Sequence, residues 1–124
     1  MKFRTGLTLG LSLALSAGSS LAHHSFAMFD SAKETVLDGT IKEFQWTNPH
    51  TWIQIVVKEG GKDVEYSIEA NSPNILSRRG WSKASFNPGD RVKLKVHPMK
   101  DGSKGGSFLS AEFADGRKLG DTIG

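Results

Sequence analysis

The chain has no cysteine and only one tyrosine among its 124 residues. Without thiols it can form no disulfide, no zinc–thiolate site and no cysteine nucleophile, so its stability must come from packing. No hydrophobic run approaches the roughly 20 residues that a membrane span needs. An excess of one charge is missing too. Sixteen basic side chains face 13 acidic ones, and two of the basic ones, Lys2 and Arg4, stand at the very start. Without that pair the excess is one, too small a footprint to mark nucleic acid as the partner, and the expectation is no nucleic acid. Gly-rich phosphate loops and nucleophile–base pairings are also absent. The carboxylates are scattered, so nothing points to an enzymatic reaction and a non-catalytic role is expected.

What is present begins with an export signal over residues 1–22. Lys2 and Arg4 precede the apolar stretch Leu7 to Leu15, and Ser20 and Ala22 take the −3 and −1 positions of a cut. The expectation is a soluble periplasmic protein that keeps no membrane span after cleavage. Residues 23–34 follow as an N-terminal arm, "HHSFAMFDSAKE", with aromatics that would pack it on a single domain over 35–124.

That domain reads as strands with one short helix. "TVLDGTIKEFQW" shows an inward phase that slips near Lys42 and a glycine, Gly39, in mid-strand, which predicts a bent or bulged first strand. "TWIQIVVK" and "VEYSIEA" alternate on either side of "EGGKD", a hairpin turn. "SPNILSRRG" carries an N-cap serine, a first-turn proline and a terminal glycine, the signature of a helix. "RVKLKVHPM" alternates again, with Val92, Leu94 and Val96 inward; in "SFLSAEFADG" the phase predicts Leu109, Ala111 and Phe113 inward. The order β-β-β-α-β-β predicts an all-β OB-fold-like five-stranded barrel, with a small β-sandwich as the alternative.

"AHHSF", "WTNPHTW", "SPNILSRRGW", "PGD" and "DGRKL", in this order, resemble a family of small exported bacterial proteins of unknown function. The resemblance spans the mature chain. It implies export and a single domain of this size, and it implies no activity.

Four histidines carry the candidate chemistry: His23, His24, His50 and His97. A cut after Ala22 makes His23 N-terminal. Its α-amine and Nδ1 can then chelate one ion, and a further imidazole completes a three-nitrogen set that suits copper. A cut after Ser20 places His23 third, which also favours Cu(II), through backbone amides. His24, His50 or His97 could supply the further nitrogen. The arm enters where strands one and four pair, so it can meet His97 or fold back toward His50. Met28 and Met99 are soft donors able to hold Cu(I), although either can also be a gap-filler.

A second, non-metal reading places Trp46, Asn48, Trp52, Arg78, Arg79 and Trp81 on a face for an anionic small molecule, a glycan or a periplasmic protein partner. For each of these residues a purely structural use is also open: filling the barrel end, forming the turn, or compensating the helix dipole.

Overall fold

The computed structural model describes residues 27–121. Six strands and one helix follow in the order β1 (Thr35–Gln45), β2 (Thr51–Glu59), β3 (Lys62–Ala70), α1 (Pro73–Arg78), β4 (Arg91–Pro98), β5 (Gly105–Phe113) and β6 (Lys118–Gly120). The sheet runs β3-β2-β1-β4-β5-β6, and β3 also pairs with β5. That last pairing is parallel and short, from Ser67↔Gly105 to Glu69↔Ser107. It closes β1 to β5 into a barrel, the OB-fold arrangement, and removes the sandwich alternative. β6 is an extra strand on β5 that sequence reading did not anticipate. No helix among the described residues is long and apolar enough to cross a membrane.

The long first strand serves two neighbours. Thr35 to Thr40 pair with β4, and Gly39 to Gln45 pair with β2. Its register slips between Ile41 and Glu43, the bulge expected at Lys42. Gly39 sits where the two pairings overlap. A Cβ there would lie 2.2 Å from the Val56 carbonyl oxygen, so only glycine lets the strands close at the bend. At the β2–β3 hairpin Gly60 and Gly61 both take positive φ, 56° and 80°, which the tight turn requires.

The core follows strand alternation. Ile53, Ile55, Ile68 and Leu94 are 0% exposed, and Ile41 and Val96 1%. Burying each such side chain contributes about 1.5–3 kcal/mol. α1 plugs one barrel end with Leu76. Its N-cap Ser72 accepts a hydrogen bond from the Ile75 N–H, and Pro73 opens the helix. Beside it Trp81, Phe86, Phe108 and Phe113 form an aromatic cluster, with Trp81 and Phe108 edge to face at 5.0 Å.

One strand departs from the expected phase. In β5 the register slips opposite Lys95/Val96: Lys95 pairs with Ser110 and Val96 with Phe108. Leu109 is the extra residue of a bulge, half-exposed, and Phe108 takes the core position assigned to it from alternation. The bulge adds one residue to the period, so simple alternation counted from Phe113 fails beyond Ala111.

Residues 28–30 lie against the end of β4 and the residues after it, through a short antiparallel bridge. Phe29 pairs with Met99. The Asp30 N–H donates to the Pro98 carbonyl at 2.8 Å, and the Lys100 N–H to the Met28 carbonyl at 2.9 Å. Phe29 is 8% exposed.

Candidate functional site

Residues in register on neighbouring strands point to the same side of a sheet. Trp52 pairs with Glu69, Glu69 with Ser107, and Ser107 with His97. All four are half-buried between core-facing neighbours. They therefore form one outward row across β2, β3, β5 and β4. In OB-folds the face of β2 and β3 and the loops β1–β2 and β4–β5 are the customary ligand surface. Here that surface carries Trp52, the β1–β2 loop with His50, the β4–β5 loop with Met99, and the docked arm.

His50 stands at the end of the β1–β2 loop, which holds a cis Asn48–Pro49 bond. The Thr47 hydroxyl donates to the His50 carbonyl at 2.9 Å, and the Thr51 N–H donates to the Asn71 carbonyl, which fixes the loop's exit. His50 Nδ1 lies 3.4 Å from a Glu69 carboxylate oxygen, and the Glu69 side chain is only 12% exposed. A carboxylate facing Nδ1 favours the tautomer with the proton on that nitrogen, which leaves Nε2 as a free lone pair. The imidazole itself is 35% exposed. Phe29, Glu69, Asn71 and Asp121 join it around a small cleft of about 90 Å³.

His97 is held in a similar way. Its Nδ1 lies 2.8 Å from the Lys33 carbonyl oxygen. A carbonyl only accepts, so Nδ1 must carry the proton and Nε2 is again the free nitrogen. The arm thus meets both candidates, Lys33 on His97 and Phe29 beside His50. Along the row Glu69 and His97 are two strand spacings apart, roughly 10 Å. Among the described residues no three histidine, aspartate or glutamate side chains converge as a metal-binding set. His23 and His24 lie outside the described residues.

The second set of candidates does not assemble. Trp46 is partly buried against the core, 5.8 Å from the Phe44 ring, while Trp52 looks outward, so the two do not form one platform. Trp81 is 3% exposed, and its indole N–H donates to the Gly120 carbonyl at 2.9 Å. Arg79 is spent on Asp121, with a guanidinium–carboxylate contact of 2.5 Å, and Asn71 donates to the same carboxylate at 2.7 Å. Arg78 and Asn48 are exposed. The structure therefore gives Trp81 and Arg79 to the core and to β6. The signal that could have warned of this is Asp121 just after the short apolar "LG", which marks a last strand able to close over the helix.

Three basic residues around the barrel are paired with carboxylates. Lys95 lies 3.8 Å from Glu34, Arg91 3.2 Å from Asp38, and Lys104 3.3 Å from Glu59. The Tyr66 hydroxyl also donates to Glu59, and this bond is the main reason the Glu59 carboxyl titrates below its usual range and the Tyr66 hydroxyl above its own. Lys104 lies 5.4 Å from the Tyr66 ring centre and is pushed up chiefly by that hydroxyl and by Glu59. The cluster ties the β4–β5 loop to the β2–β3 hairpin at the rim of the ligand face.

No curated protein matches the chain. A solved structure of the mitochondrial single-stranded DNA-binding protein Rim1 of S. cerevisiae is similar, at 14% identity and a TM-score of 0.49, covering 68% of this chain and 97% of that one. At that identity the likeness concerns the fold alone. That neighbour is a single-stranded DNA-binding protein, a finding against the expectation of no nucleic acid. Residues 11–108 match the model of a family of unknown function (DUF6152), and the chain belongs to that family.

Proposed function

We propose that this OB-fold barrel is an exported bacterial binding module that holds a copper ion, non-catalytically, between the N-terminal residue His23 and the barrel imidazole of His50. The observation that carries this reading is the docking of the arm on the ligand face. The bridge of Phe29 to Met99 anchors the arm beside His50, whose Nδ1 is turned to Glu69 and whose Nε2 is free. His23 precedes Ala27 by four residues, and four residues span at most about 14 Å. An α-amine, an N-terminal imidazole and one further imidazole are a donor set for Cu(II). The amine titrates near 8, within reach of metal displacement at neutral pH. Copper handling or sensing in the periplasm is the role that fits a single small domain with no paired nucleophile and base.

The test is metal analysis of protein processed and purified from the periplasm, with mass spectrometry of its first residue and Cu(II) titration followed by electron paramagnetic resonance. Expected are a chain beginning at His23, one bound copper, and nitrogen hyperfine structure. His50→Ala weakens Cu(II) by about tenfold or more, and Glu69→Gln by about tenfold, the cost of losing an orienting partner. His97→Ala leaves affinity unchanged. A chain beginning elsewhere, or an unchanged affinity in a His23→Ala, His24→Ala double variant, overturns the reading.

A further inference from the structure

Two thioethers and one indole wall a cleft of about 400 Å³ on the outer face of β2, β3 and β5. They come from three separate parts of the chain: Met28 from the arm, Met99 from the β4–β5 loop, and Trp52 from β2. Phe29 and Glu69 line both this cleft and the smaller one beside His50. Neither sulfur belongs to the core, where methionine ordinarily fills gaps. Met28 is 43% exposed, one of only three large hydrophobic side chains at the surface among the described residues.

Backbone bonds set this juxtaposition. The Lys100 N–H holds the Met28 carbonyl, and Phe29 bridges Met99, so the docked arm brings Met28 beside residues 99 and 100. The Met99 side chain lies on Gly105. A Cβ at Gly105 would stand 3.4 Å from Met99 Cγ and 3.7 Å from its Sδ. The glycine therefore serves as a floor on which the thioether rests within the cleft. Glu69, 12% exposed, sits in the cleft wall and is the one carboxylate there among the described residues; Lys104, paired with Glu59 at 3.3 Å, lines the same cleft.

We propose that the Met28–Met99–Trp52 cleft is a binding site for a soft monovalent metal ion, Cu(I) or Ag(I). Thioether sulfur is a neutral, polarisable donor that selects such ions over hard divalent ones. The indole face adds cation–π attraction, strongest for tryptophan and greater where water is excluded. Two neutral sulfurs leave the ion's charge uncompensated; Glu69 balances it, while the Lys104 ammonium on the same wall is offset by Glu59. The residues of this site all lie in the described barrel and arm. The proposal goes beyond the His23 reading; the two share Glu69, and His50→Ala separates them.

The test uses Ag(I) in chloride-free buffer on the processed protein. Tryptophan fluorescence and the methionine ε-methyl resonances report the binding. One equivalent of Ag(I) is expected to quench fluorescence and to shift the Met28 and Met99 methyls. A Met28→Leu, Met99→Leu variant keeps its volume and is expected to melt as the parent does while losing at least tenfold in Ag(I) affinity. The single Met28→Leu variant, altered only at an exposed arm position, is expected to show a several-fold loss and guards against misfolding of the double variant. His50→Ala retains Ag(I), which separates this site from the Cu(II) one. Unmoved methionine methyls, or unchanged Ag(I) affinity in the folded Leu variants, overturn the proposal.

Discussion

The barrel has two aromatic regions, and they use the same residue types in opposite ways. At the end plugged by α1, Trp81 packs at 5.7 Å from Phe86 and 5.0 Å from Phe108, with its one polar atom bonded to a backbone carbonyl. On the outer face, Trp52 stands half-exposed beside two methionines and a docked arm. In the first region the rings pack on one another and the Trp81 N–H has its acceptor. The second leaves Trp52 and Met28 part-exposed among the described residues. Composition alone cannot separate these uses. What separates them is strand parity, because Trp52 alternates with the buried Thr51 and Ile53.

The contrast can be broken from the packed end first. Trp81→Ala should cost about 3–5 kcal/mol in urea unfolding, the usual loss for a buried tryptophan, and leave metal titrations of the surviving folded protein unchanged. Phe29→Ala should cost less, about 2 kcal/mol, because the arm detaches while the barrel persists. Its stronger effect is on Cu(II) affinity, which falls as the arm loses its anchor. Loss of stability without loss of affinity would show that docking of the arm does not organise the site. Thr51→Val sharpens the contrast from the other side. The Thr51 hydroxyl is fully buried and has no partner among the described residues, so an apolar group of the same shape should raise stability by about 1 kcal/mol. Trp52→Ala should change stability by under about 1 kcal/mol while removing the fluorescence response to Ag(I).

The smallest effect concerns the rim. Glu59 titrates below its unfolded value, mainly through the Tyr66 hydroxyl. A carboxyl depressed by folding contributes stability above its unfolded pKa and loses it as pH falls through the folded one. Glu59→Gln should therefore flatten the acid side of the stability profile, measured by melting between pH 2 and 6. Tyr66 is raised, mainly by its bond to Glu59, so its contribution is present below its unfolded pKa and fades as pH climbs through the folded value. Tyr66→Phe should flatten the alkaline side. Profiles that match the parent would remove the cluster from the energetics of the hairpin.

The barrel was legible in the sequence wherever burial on one face enforces a period of two. Val92, Leu94 and Val96 read inward and are buried, and Ser72, Pro73 and Gly80 mark the helix that forms. The bend near Lys42 was legible because the phase visibly slips. The bulge at Leu109 was not, because Phe108 and Leu109 are both apolar and either can satisfy the pattern. Long-range partners were invisible for a different reason. The bond from Arg79 to Asp121 joins residues 42 apart, and β6 is only three residues long, too short to show a period. Of the candidate site, the individual residues were legible but their grouping was not. That Met28, Met99 and Trp52 share one cleft depends on the parallel closure of β3 on β5, which no local signal encodes.

That closure is short. Three residue pairs join β3 to β5, whereas β2 and β3 pair over nine. Ser67, Glu69, Gly105, Gly106 and Ser107, all in that seam, also line the clefts of the ligand face. The barrel's shortest stitching and its binding surface are thus the same stretch of backbone. The ion proposed above, held across it, would act as a clasp on the hoop. Binding only the closed form at a hundred times its dissociation constant adds about 2.7 kcal/mol. The amide protons of Ser67 to Glu69 would then exchange with solvent more slowly than those of the far strands, which makes the seam itself a gauge of occupancy.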